Sequence, residues 1–135
     1  MSRITTFLMF SGERHGKAAE AMNFYIGLFP NSRIDSIKRY GPGDREPEGT
    51  VMFATFTLDG QQFMAIDSAA PHQFNFTPSV SLFVQCATEE ELDRLFRALS
   101  EPGKVLMPVD NYGFSKRFGW SNDRFGVSWQ LNLAA

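Results

Sequence analysis

The chain has a single cysteine, Cys86, and only two histidines, His15 and His72. One thiol cannot close an internal disulfide, so this is no cystine-stapled scaffold, and a reducing cytoplasm is its expected setting. Two loop histidines read as solvated side chains; as metal ligands they would have to converge with a carboxylate such as Asp67. Neither sign of charge dominates: 13 basic and 15 acidic residues give a net charge of −2. Arg33, Lys38 and Arg39 are the nearest thing to a basic cluster and are too few to track phosphates, so no nucleic-acid partner is expected. No apolar run approaches the roughly 18 residues of a membrane-spanning helix. The opening MSRITTFLMFSGERHG lacks the long apolar core and small-residue cleavage site of a secretory signal. No Gly-x-Ser-x-Gly elbow is present. The GPG at 41–43 does not lead from a strand into a helix, and no Lys-Ser or Lys-Thr stands nearby, so it reads as a hairpin loop.

What the chain does have is phenylalanine: 14 Phe against 2 Trp and 3 Tyr, with 43% hydrophobic residues overall. That is enough for a packed core and an apolar pocket in one domain of 135 residues. The order of elements repeats once. Ile4–Phe10 reads as a strand, Lys17–Phe29 as an amphipathic helix stopped by Pro30, and Arg33–Tyr40, Thr50–Leu58 and Gln61–Ser68 as strands. Asp59-Gly60 marks a tight hairpin. After an aperiodic 69–78 link, Ser79–Cys86 alternates cleanly. Thr88 and Glu91 form a capping box for a helix ended by Pro102-Gly103. Lys104–Val109, Phe114–Ser121 and Val127–Leu133 complete the second pass. The halves share architecture rather than residues. The expected fold is therefore α+β, two βαβββ modules over about 4–68 and 79–133.

Strand parity assigns the faces. Leu8, Phe10, Met22, Tyr25, Phe29, Ile66, Val80, Leu82, Val84, Leu92, Phe96, Val127, Trp129 and Leu131 are expected in the core. Thr5, Phe7, Met9, Phe63, Ala65, Asp67, Ser79, Ser81, Phe83, Ser128, Gln130 and Asn132 are expected on a ligand-facing surface. Of these, Thr5, Phe7, Phe63, Asp67, Ser79, Ser81, Phe83, Ser128 and Gln130 are the candidate binding residues. Asp67 is either a substrate-orienting carboxylate or a strand-end cap. Trp129, alternating with Gln130, should point into the core. Trp120 and Phe118 share one parity and serve a planar ligand or the core equally well. Cys86 has no local base, and a buried structural thiol is expected.

AMNFYIGLFPNS near the start, the Asp-Gly hairpin, and GWSNDRFGVSWQLNL at the end resemble the PhnB-like family of the glyoxalase/bleomycin-resistance (vicinal oxygen chelate) superfamily. Members often carry the name 3-demethylubiquinone-9 3-methyltransferase. The resemblance implies paired βαβββ modules, a cupped mixed eight-stranded sheet with helices on its outer face, and a homodimer. Catalytic relatives hold a metal through His and Glu on four strands. The matching positions here are Thr5, Asp67, Ser79 and Gln130, of which only Asp67 ionises as a ligand. A small-molecule-binding protein without resident metal or other cofactor is therefore expected, and turnover is left open. The alternatives are a metal-dependent lyase, isomerase or dioxygenase using Asp67, with His72 as a further ligand, and an S-adenosylmethionine-dependent methyltransferase. The last is disfavoured because no strand–glycine–helix unit is read in the chain.

Overall fold

In a computed structural model, residues 3–134 are described, and the chain divides into two compact units, Met1–Asn75 and Phe76–Ala135. The first unit runs β1 (Thr6–Ser11), α1 (Ala18–Ile26), β2 (Arg33–Arg39), β3 (Val51–Leu58) and β4 (Gln61–Ser68). Its mixed sheet has the order β1-β4-β3-β2, with β1 and β4 parallel. The second unit repeats this with β5 (Ser81–Cys86), α2 (Glu89–Ala98), β6 (Lys104–Asp110), β7 (Phe118–Asn122) and β8 (Ser128–Leu133), in the order β5-β8-β7-β6. The α+β class and the doubled βαβββ order agree with the sequence. Strand pairing gives two four-stranded sheets, where one eight-stranded sheet was expected.

Each helix seals one face of its sheet. Ala18, Ala21, Met22 and Tyr25 of α1 are buried, with Leu8 and Phe10 of β1 buried as well. On α2, Thr88 Oγ1 accepts from Glu91 N at 3.1 Å while Glu91 Oε1 accepts from Ala87 N at 2.8 Å, the reciprocal cap read from sequence. Leu92, Leu95 and Leu99 are buried. Gly119 lets α2 approach: a Cβ there would lie 2.6 Å from the Phe96 ring. Residues paired across strands share a face, so Gly119, Leu131 and Val84 face α2, as do Ser121, Trp129 and Leu82. Trp129 is 2% exposed and donates its indole N–H to Asp123 Oδ2, pointing into the core.

Two core expectations fail. Val80 is 71% exposed because β5 begins one residue later, at Ser81. Ile66 lies on the face away from α1, paired with Met9. The loop at 41–49 is held at Glu46, whose Oε1 accepts from Ala69 N at 2.9 Å and lies 3.5 Å from His15 Nε2.

Candidate functional site

The strand register of the second unit sorts its distal face, turned away from α2, into rows. Ser81, Ser128 and Asn122 form one, and Phe83, Gln130, Trp120 and Met107 the next. Gln85, Asn132 and Phe118 form the third. The first two rows are joined by hydrogen bonds. Trp120 Nε1 donates to Ser128 Oγ at 2.8 Å, Ser128 and Ser81 share a bond of 2.8 Å, and Gln130 Nε2 donates to Ser81 Oγ at 3.3 Å. In the third row, Asn132 Nδ2 donates to Gln85 Oε1 at 2.9 Å. Charge enters these rows on the edge strand β6, where Lys104 pairs with Asn122 and Asp110 with Phe118.

Aromatic rings flank the polar network. Phe83 is 53% exposed and lies 6.4 Å from Phe118, which meets Phe114 edge-on at 4.9 Å and Tyr112 at 6.1 Å. Beside Phe114, a recess of about 570 Å³ opens between the N-terminus of α2 and the end of β8. Thr88, Glu89, Phe114, Lys116 and Asn132 contribute to its lining, and its volume lies in the range of small-molecule pockets. The structure thus brings Ser81, Phe83, Ser128 and Gln130 together. It adds Trp120, whose role parity alone left undecided: α2 packs over Gly119 next door, and Trp120 pairs with Gln130 on the distal face.

Thr5 and Ser79 lie just outside the strands. Ser79 is exposed and shares a 2.7 Å bond with Thr77 rather than with Ser81 or Gln130. In the first unit, Phe7 and Met9 occupy the face away from α1 with Met64, Ile66 and Phe53; the Phe7 and Phe53 rings lie 5.9 Å apart. Phe63, Ala65 and Asp67 belong to the opposite, helix-covered face, against expectation. The reason is the parallel pairing of β1 with β4, which sets Leu8 beside Ala65 and Phe10 beside Asp67. Asp67 is 2% exposed and fully engaged: Oδ1 accepts from Gly16 N at 2.9 Å and Ala18 N at 3.1 Å, and Oδ2 from Val51 N at 2.8 Å. It caps α1 from a distance because the N-cap position holds Lys17, which has no acceptor. The β1–α1 passage, with Gly12 and Gly16 at positive φ, is in fact a strand–glycine–helix unit. Asp67 occupies the leading amides that such a unit would offer an anionic ligand. His72 bonds Ser68 at 3.1 Å and lies against Phe74, and His15 meets Glu46, so the two histidines serve separate local contacts.

A family model described as 3-demethylubiquinone-9 3-methyltransferase matches residues 2–132. The chain belongs to that family. A PhnB protein from Bacillus cereus bearing the same description is 58% identical, with a TM-score of 0.93 over 98% of this chain and 100% of that one. PA1353 from Pseudomonas aeruginosa is 26% identical, with a TM-score of 0.81 over 98% of each chain. Protein YjdN from Escherichia coli strain K12 is 26% identical over 108 residues, which is 80% of this chain and 73% of that protein. The fold extends to the fosfomycin resistance protein FosX from Listeria monocytogenes, 10% identical, with a TM-score of 0.61 over 99% of this chain and 90% of that one.

In this member of the 3-demethylubiquinone-9 3-methyltransferase family, the metal of catalytic relatives meets a poor donor set. Of the four positions that the resemblance matches to metal ligands, Thr5, Ser79 and Gln130 are neutral, and Asp67 spends both carboxylate oxygens on backbone amides. Divalent ions need carboxylate, imidazole or thiolate donors for affinity. Among the described residues, no group of three or more His, Cys, Asp or Glu side chains could hold an ion.

Cys86 is buried, and burial, helped by nearby Glu91, pushes its thiol from 9.0 up to about 11. An alkylating reagent at pH 8 is expected to leave it intact in the folded protein and to label it once the chain is denatured. Because the folded value is the higher one, the thiol's stabilising contribution is full below about pH 9 and disappears as pH rises towards about 11. Rapid labelling of the folded chain would contradict this placement.

Proposed function

We propose that the chain binds an uncharged small organic molecule against the distal face of its second sheet, centred on Gln130, without a resident divalent metal. The observation that carries this reading is the neutral Trp120–Ser128–Ser81–Gln130 network, flanked by exposed Phe83 and bordered by the recess at Phe114. A few convergent polar groups among aromatic rings are the usual composition of such sites. Cytoplasmic residence and a homodimer belong to the same reading, the second being open to equilibrium sedimentation.

Two measurements test it. Elemental analysis of protein prepared without chelators is expected to find manganese, iron and zinc well below one per chain. A stoichiometric ion would overturn the metal-free reading. Ser128→Ala should free the Trp120 indole N–H, costing about 1 kcal/mol of stability. It should also weaken any arene whose binding quenches Trp120 emission. An arene that binds equally well to this variant would place the ligand elsewhere.

Methyl transfer, the activity in the family's name, is not part of this reading. The amides of the β1–α1 passage are committed to Asp67. Calorimetry with S-adenosylmethionine is expected to show no saturable heat, and a saturable isotherm would restore methyl transfer.

A further inference from the structure

The turn between β3 and β4 holds a chemically reactive pair. Asp59 and Gly60 are exposed, with φ of 48° and 81°, the two positive values of a type I′ hairpin. An aspartate followed by glycine can isomerise, because no side chain shields the glycine amide. The Gly60 nitrogen attacks the Asp59 side-chain carboxyl, a C–N bond forms and water leaves. Water then reopens the five-membered succinimide ring. Opening at the main-chain carbonyl routes the backbone through the side chain and gives isoaspartate, with no change of mass.

Ring closure has a geometric condition: the Gly60 nitrogen must eclipse the Asp59 Cβ across the Cα–C bond. That needs a ψ of about −120° at Asp59, whereas the first central residue of a type I′ turn holds about +30°. The peptide must therefore rotate by roughly 150° before the ring can close. The connection between α1 and β2 resists that rotation. Gly60 N donates to Asn31 O at 3.2 Å, and Asp59 N donates to Ser32 Oγ at 3.0 Å. Ser32 Oγ is itself fixed by its bond to Pro30 O at 3.0 Å. The two segments also touch, since a Cβ at Gly60 would lie 3.3 Å from Asn31 Nδ2.

We infer that Asp59 is a latent isoaspartate site, locked by the docking of its turn on Asn31 and Ser32. Only the undocked turn reacts, so the rate of isomerisation scales with the opened fraction. One added backbone methylene lengthens the two-residue turn and parts Leu58 from Gln61, the ladder pair that flanks it.

The full chain, aged at physiological pH and temperature either folded or in guanidinium chloride, tests this. Digestion with endoproteinase Asp-N, which cuts before aspartate and not before isoaspartate, counts the isomerised fraction as the cut lost at Asp59 without change of mass. The unfolded chain is expected to lose that cut at least tenfold faster than the folded one, equivalent to about 1.4 kcal/mol of opening. Folded Ser32→Ala, one docking bond short, should fall between the two and exchange its Gly60 amide hydrogen faster than the wild type. Equal rates for the folded and unfolded wild type would mean that the turn is not locked. A Ser32→Ala rate equal to that of the folded wild type would place the lock elsewhere. An unfolded chain that keeps the cut would remove the site.

Discussion

Asp67→Ala is expected to cost about 3–5 kcal/mol in stability, a large share of the roughly 5–15 kcal/mol that holds a small domain folded. The carboxylate is the common acceptor for Gly16, Ala18 and Val51, and thereby joins the start of α1 to the start of β3. Alanine would leave three backbone N–H groups without this acceptor, and those of Ala18 and Val51 are buried away from water. Charge adds to the loss, since the positive end of α1 favours an anion there. Asp67→Asn should fall between the two, because one of its positions becomes a donor facing a donor. Urea denaturation gives the cost. Arene binding at Gln130, measured where the variant is still folded, should be unchanged. A loss of binding without a loss of stability would revive Asp67 as a ligand-handling group.

Asp123 has the next largest expected effect. It is 2% exposed; Oδ1 accepts from Phe125 N at 2.8 Å and Val127 N at 3.1 Å, and Oδ2 accepts from the Trp129 indole at 2.8 Å. These bonds build the turn between β7 and β8 and so fix the register that places Ser128 beside Asn122 and Gln130 beside Trp120. Asp123→Ala is expected to cost about 3 kcal/mol and to weaken arene binding as well. Asp123→Asn sets an amide N–H against the indole N–H, so Trp129→Phe should partly rescue it. A coupling of about 1–2 kcal/mol between the two changes is expected, and simple additivity would remove the bond from the account.

The distal face of the second sheet was legible because its strands separate chemically. In β5, Ser81, Phe83 and Gln85 alternate with Leu82, Val84 and Cys86. In β8, Ser128, Gln130 and Asn132 alternate with Trp129, Leu131 and Leu133. Strand β4 offers no such contrast: Phe63 and Ala65 on one parity are matched by Met64 and Ile66 on the other, so apolarity cannot choose the face. Asp67 was readable as a cap only from elsewhere, through Lys17 standing where α1 needed an acceptor. The strand expected from Phe114 begins at Phe118, because the Asn111 side chain turns back to the Gly113 amide and Ser115 to that of Arg117. Trp120 needed the register as well as the residue, since only pairing with Gln130 shows that it borders the amide.

A crystal structure of the metal-replete protein, with anomalous data at the manganese and zinc edges, tests the central claim most directly. The account expects the Gln130 carboxamide on the face away from α2, bonded to Ser81, with no anomalous peak within ligand distance. An ion coordinated beside Gln130, or that amide turned in beneath α2, would contradict it.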